Sequence, residues 1–324
     1  MRADAAGGGP RALVVGDTLV DVVHPAGGDA GPVEHPGGSA ANVALGLARL
    51  GRPVDLLGRL ADDARGRRVA DHLTGDGVHL AAGLLPASDD VRTPTAQAHL
   101  GADGGARYEF DLAWELEADD LACITAGEPP LVVCTGSLAT ALEPGATQVE
   151  GLLDALRPTT TVVLDPNLRP SLMGTPEEVR PRVEALVTTS DVVKLSDEDA
   201  GWLFPDRDPA DVVRSWLGLG PALVVLTRGG EGALAVCAAG EVDEPGRTVD
   251  VADTVGAGDS FTGGLVDALW SEGLLGADRR TALAAVDLEV LGRCVAAATD
   301  VAAVTVSRPG ADPPRRDELP RSGS

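Results

Sequence analysis

The chain has 324 residues, 44% of them hydrophobic but only 2% aromatic, and a formal charge of −24 at pH 7. That charge opposes binding to nucleic acid phosphates or to an anionic membrane surface. Its single lysine, Lys194, excludes both the GxxxxGK[ST] phosphate loop and the strand lysine of protein kinases.

Met1 to Pro10 is small and Gly-rich without an apolar leader core, and no stretch approaches about 18 uninterrupted apolar residues, so a cytoplasmic protein is expected. Apolar, β-branched runs then recur at 13–15, 54–57, 131–134, 162–164, 192–195, 223–226 and 233–237. Helix-like stretches lie between most of them, at 40–50, 64–73, 147–156, 177–187, 210–217, 260–270 and 281–299. Strands alternating with helices predict an α/β fold, a mostly parallel sheet with helices on both faces. One segment departs from the alternation. Residues 95–100 and 106–112 read as period-two strands around the Gly-rich 101–105 turn, a hairpin that predicts a small β lid drawn from about 19–35 and 94–113.

The span 11–312 reads as one domain, and 313–324, rich in Pro, Arg and Ser, has the composition of a disordered tail. A hairpin lid leaves one apolar face uncovered, which predicts a homodimer joined through the lids. Cys123, Cys134, Cys237 and Cys294 stand far apart without metal-ligand spacing and read as reduced, buried thiols.

The segment Asp253-Thr-Val-Gly-Ala-Gly-Asp-Ser-Phe-Thr-Gly-Gly264 runs directly into an apolar helix. Gly256, Ala257 and Gly258 turn the chain and present the first amides of that helix, which have no internal partner, as an anion site. Asp259, in the first turn, would face whatever those amides hold. A carboxylate beside an anion hole suits phosphoryl transfer to an alcohol: it orients and deprotonates the hydroxyl while the amides take up charge on the moving group. Far upstream, Pro36 to Gly51 carries Gly37-Gly38, open to close approach, and Asn42, which can both donate and accept.

These two segments resemble the C-terminal and N-terminal signatures of the ribokinase-like (PfkB) sugar kinases, and the resemblance runs from about Ala12 to Pro314, closest in pattern to fructokinase. It implies a three-layer ribokinase-like fold with a β lid, and an ATP-dependent kinase that transfers the γ-phosphoryl group to a hydroxyl, a primary one, of a small sugar. Asp259 would be the base, beside the Gly256, Ala257 and Gly258 anion hole. Gly37, Gly38 and Asn42 would hold the sugar, joined by Asp17 and Asp21 from the Val14 to Asp21 run and by Arg169 from Asp165-Pro-Asn-Leu-Arg169. Lys194, Thr227, Gly229, Gly230 and Gly232 would border the nucleotide, with adenine between the loop after Asp253 and the helix around 296–301.

Lys194-Leu-Ser-Asp-Glu-Asp199 is similar to the family segment that organises Mg2+. Either Asp199, through water, or its neighbour Glu198 takes that role. In relatives the loop at Asp253 can also enclose a monovalent cation such as K+ on backbone carbonyls. Fructose is the expected acceptor; 2-keto-3-deoxygluconate, ribose or a nucleoside are the alternatives, the last disfavoured by the scarcity of aromatics for a base slot. The competing reading is a catalytically silent sugar-binding protein, which would have no need of Asp259 and its glycine loop.

Overall fold

The computed structural model describes residues 9–25, 31–88, 91–100 and 106–320. The strands of the first third are β1 (Ala12–Val15), β2 (Leu19–His24), β3 (Val33–Gly37), β4 (Val54–Leu57), β5 (His79–Leu80), β6 (Thr95–Leu100) and β7 (Ala106–Asp111). Then follow β8 (Val132–Gly136), β9 (Thr161–Asp165), β10 (Val192–Ser196), β11 (Leu223–Thr227), β12 (Gly232–Cys237) and β13 (Gly240–Pro245). The helices are α1 (Ser39–Arg49), α2 (Ala64–Gly75), α3 (Ala118–Ala126), α4 (Gly145–Leu156), α5 (Pro170–Met173) and α6 (Pro176–Thr189). They continue with α7 (Asp197–Leu203), α8 (Pro209–Leu217), α9 (Ala257–Ser271), α10 (Arg280–Ala284) and α11 (Leu288–Val306).

Nine strands form the main sheet, in the order β13-β12-β11-β10-β9-β8-β1-β4-β5. From β11 to β5 neighbours are parallel, while β12 and β13 add an antiparallel edge. The valine-rich runs become strands buried on both faces because successive side chains serve opposite sides. On β1, Ala12 and Val14 join a core beneath α1, α2, α9 and α11, whereas Leu13 and Val15 join another beneath α4, α6, α7 and α8. The exposed positions of the edge strand β13 are the acidic Glu241 and Asp243 and the terminal Pro245, which keeps the edge from pairing further.

A second sheet, in the order β3-β2-β6-β7, stands off the first; β2 and β6 are parallel and the outer pairs antiparallel. The expected hairpin strands are β6 and β7, and its 101–105 turn lies outside the described residues, as do the Gly27 and Gly28 considered for the lid. Among the described residues no helix is long and apolar enough to cross a membrane.

Three expectations need correction. The helix read over 281–299 is two helices, because Asp287 caps α11 by accepting from the Val290 amide at 2.8 Å. The tail expected to be disordered from 313 is ordered up to 320. Pro313 and Pro314 are buried, Arg316 donates to the Leu50 carbonyl and to Asp267, and Arg315 pairs with Asp76. Cys123 is exposed, since α3 buries none of its residues, while the other three thiols are buried.

Candidate active site

The carboxyl ends of β1, β8, β9, β10 and β11 meet along one sheet edge, where open parallel sheets bind ligands. Asp17 follows β1, Asp165 closes β9, Lys194 sits within β10 and Thr227 closes β11. Helix α9 points its N-terminus at the same edge, and its N-cap Gly256 has φ 75°, a left-handed turn that favours glycine. The amides of Gly258 and Asp259 have no acceptor among the described residues, so the dipole and two free donors face the cleft. That arrangement fits a phosphate.

Asp259 is buried, and three side chains from two other elements hold its carboxylate. Ser39 Oγ donates to Oδ1 at 2.7 Å, Asn42 Nδ2 donates to Oδ2 at 2.8 Å, and Asn167 Nδ2 donates to Oδ1 at 3.2 Å. Asn167 also donates to Ser39 Oγ at 2.9 Å from a backbone with φ 40°. Ser39 and Asn167 were not singled out from sequence, although both lie inside the two quoted motifs. Ser39 is the first helical residue after the diglycine, and Asn167 is the centre of Asp165-Pro-Asn-Leu-Arg169.

Asp17 joins this network through the Ser39 amide, which donates to its Oδ2 at 2.8 Å. Its other oxygen, Oδ1, is sealed from solvent without a partner. Such an orphaned acceptor fits a sugar hydroxyl. Gly38 allows the approach: its φ is 104°, and a Cβ there would overlap the Asp17 carbonyl. A Cβ at Gly37 would overlap the Asp21 carboxylate. The exposed Arg169 folds back onto its own loop, donating to Asn167 Oδ1 at 2.6 Å, and its charge pulls the pKa values of Asp17 and Asp21 down.

Burial outweighs that attraction and pushes both carboxyls up to about 6, from an ordinary 3.8. For Asp17 the Ser39 amide opposes the rise and the Asp259 charge adds to it; for Asp21 the Asp17 charge adds. Both therefore bind protons more tightly in the fold than in the unfolded chain. Their contribution to stability is complete below pH 3.8 and is lost as pH rises through about 6.

Under the α9 N-terminus lies the chain's one lysine. Lys194 Nζ meets Asp165 Oδ2 at 3.1 Å, with side-chain exposures of only 3% and 6%, and Thr262 Oγ1 of α9 donates to the same oxygen at 2.9 Å. A Cβ at Gly258 would lie 2.9 Å from Nζ, so the ammonium sits directly against the glycine loop.

Asp199 is buried with both oxygens engaged: Oδ1 accepts from the Leu168 amide at 2.9 Å and Oδ2 from the Ser196 amide at 3.2 Å. It thereby ties the loop after β9 to α7, while Glu198 is exposed. Asp253 is similarly committed, its oxygens accepting from the amides of Val255 at 3.0 Å and Gly310 at 2.9 Å. Thr227, Gly229, Gly230 and Gly232 form the turn between β11 and β12 at the same edge, and make no hydrogen bond to the Asp259 network. Among the described residues no three His, Cys, Asp or Glu side chains converge as a metal site.

This sheet order, with the helices on both faces and the four-stranded lid, is the ribokinase-like α/β fold, home of ATP-dependent kinases. The pattern of the pfkB family carbohydrate kinases matches residues 10–318, and the chain belongs to that family. Among curated relatives, a fructokinase of Klebsiella pneumoniae is 32% identical over 317 residues, covering 95% of this chain and 98% of its own. A fructokinase of Escherichia coli is 34% identical over 276 residues, covering 82% and 86%. Among solved structures, a Vibrio cholerae O395 fructokinase double mutant bound to fructose, ADP and potassium ion superposes with a TM-score of 0.76 at 26% identity, covering 93% of this chain and 94% of its own. A Xylella fastidiosa fructokinase with bound ATP shares the fold, with a TM-score of 0.79 at 23% identity and 95% coverage of both chains. The protein is an ATP-dependent carbohydrate kinase.

Proposed function

We propose that the acceptor is fructose and that Asp259 is the base that deprotonates its hydroxyl, a primary one. The observation that carries this reading is the Asp259 carboxylate, fixed by Ser39, Asn42 and Asn167 at the free-amide end of α9, with Asp17 and Asp21 beside it. A hydroxyl donating to Asp259 loses its proton to that carboxylate as its oxygen attacks the γ-phosphorus. The Gly258 and Asp259 amides and the Lys194 charge lower the energy of the equatorial oxygens during transfer. Fructose is supported by the fructokinase relatives above and by the acidic sugar side of the cleft, which suits a neutral polyol.

Magnesium would travel with the ATP phosphates and meet Asp199 or Glu198 through water. A K+ ion would take backbone carbonyls of the Asp253 loop, whose carboxylate is already committed to Val255 and Gly310. We also propose a homodimer joined lid to lid, supported by the half-exposed Val33 on β3; light scattering that finds only monomer at micromolar concentration contradicts it.

Coupled measurement of ADP release tests the acceptor, with ATP and magnesium, against fructose, ribose, 2-keto-3-deoxygluconate, glucose, inosine and adenosine. The highest kcat/KM is expected for fructose. A higher value for another sugar overturns the acceptor assignment, and ATP binding without turnover of any acceptor favours the silent sugar binder.

The raised carboxyls add a pH signature. Hydroxyls that donate to Asp17 and Asp21 favour the charged forms, so fructose binding near pH 6 is expected to expel protons and to weaken as pH falls below that value. Titration calorimetry in buffers of different ionisation enthalpy reads the proton count directly. Proton uptake on binding contradicts this assignment of Asp17 and Asp21.

A further inference from the structure

In a chain with 50 acidic residues against 26 lysines and arginines, an arginine without a partner is unusual. Arg59, just past β4, is one: its side chain makes no hydrogen bond or ion pair among the described residues, and its Nε is sealed from solvent. Its loop is nonetheless anchored, since Thr18 Oγ1 donates to the Arg59 carbonyl at 2.9 Å. Asp17, next to Thr18, carries the orphaned Oδ1 described above.

Both residues line one small cavity of about 20 Å3, together with Thr18, whose hydroxyl proton is already given to the Arg59 carbonyl, and apolar groups that include Leu112, Trp114 and Leu138. Trp114 offers it no donor, because its Nε1 already donates to the Ala139 carbonyl at 3.0 Å. Two lining residues of the cavity thus each carry one sealed, partnerless atom, the acceptor Asp17 Oδ1 and the donor Arg59 Nε, and the cavity has room for about one water-sized group. A hydroxyl is the smallest group that donates and accepts at once. A phosphate or carboxylate is too large for this volume and would be repelled by Asp17.

We infer that the cavity is a subsite for a non-reacting hydroxyl of the sugar, which donates to Asp17 Oδ1, accepts from Arg59 Nε–H, and so makes Arg59 a specificity-determining residue. The inference rests on the sugar-kinase reading of the cleft, with fructose as the parent ligand.

The test compares wild type, Arg59→Met and Arg59→Lys on fructose and on each monodeoxy form of fructose, with ATP affinity and thermal midpoint measured alongside. Loss of a hydrogen bond to a charged donor predicts that Arg59→Met lowers kcat/KM for fructose by about 10- to 100-fold, through KM. One deoxy form should escape that loss, the variant and wild type processing it equally, and Arg59→Lys should recover part of the loss. Equal loss on fructose and on every deoxy form, or no loss on any, overturns the inference. If Arg59→Met does not fold, the wild type decides: equal discrimination against all the deoxy forms also overturns it. Wild-type turnover of fructose reports separately on the acceptor reading.

Discussion

Asp259→Asn is expected to lower kcat by about 10³- to 10⁴-fold while ATP binding persists, the upper part of the range for a lost general base. That factor corresponds to about 4 to 5.5 kcal/mol of barrier. The fold should tolerate the change at the cost of one long contact: an asparagine can still accept from Asn42 Nδ2 and donate to Ser39 Oγ, while the 3.2 Å bond from Asn167 Nδ2 is lost. What it cannot do is take up a proton. The first-turn amides that would bind phosphate are backbone groups and are untouched. Steady-state turnover together with an ATP dissociation constant checks this, and a variant within about tenfold of wild-type kcat removes Asp259 from the role of base.

Lys194→Met is expected to cost about 3 to 5 kcal/mol of stability, the usual penalty for removing one partner of a buried ion pair. The pair joins three elements, Asp165 at the end of β9, Lys194 in β10 and Thr262 in α9, so its loss loosens the α9 N-terminus from the sheet. Burial already pushes the Asp165 carboxyl up to about 6 against the pull of the lysine. Without the ammonium it holds its proton more tightly still, so the penalty grows as pH rises through neutrality. Lys194→Met combined with Asp165→Asn removes both charges and should regain much of the stability, yet not the turnover, because the cation beside Gly258 is gone. Urea midpoints of the single and double variants decide. Equal midpoints for Lys194→Met and wild type would show that the pair does not stabilise the fold.

The sheet was legible because fully buried parallel strands write themselves as continuous apolar runs, and each run read from the sequence lies within or overlaps a strand. β5 and β13 were not: β5 is only two residues long, and the acidic outer face of β13 hides the pattern of a strand that needs only its inner side chains. The 281–299 helix was overextended because Asp287 reads equally well as a polar-face residue or a cap, and only the packing of α11 chooses. The ordered tail was missed for a different reason. Arg315 and Arg316 are held by Asp76 and Asp267, far away in sequence, and composition cannot report such partners.

The candidate site divides in the same way. The Gly256 to Asp259 turn is a local feature, a glycine loop entering a helix, and could be read directly. The clasp on Asp259 is not local: Ser39 and Asn167 reach it from 220 and 92 residues away. Lys194 and Asp165 become a pair only because β9 and β10 are neighbours in the sheet. Asp199 shows a limit of aligning roles by motif, for its oxygens prove to be engaged by the Leu168 and Ser196 amides.

The measurement that tests the account most directly is a phosphorus NMR time course of the protein with ATP, magnesium and fructose. A sugar phosphomonoester resonance growing in step with ADP is the predicted result. ADP accompanied by inorganic phosphate alone would mean that Asp259 activates water and not a sugar hydroxyl, and would contradict the account.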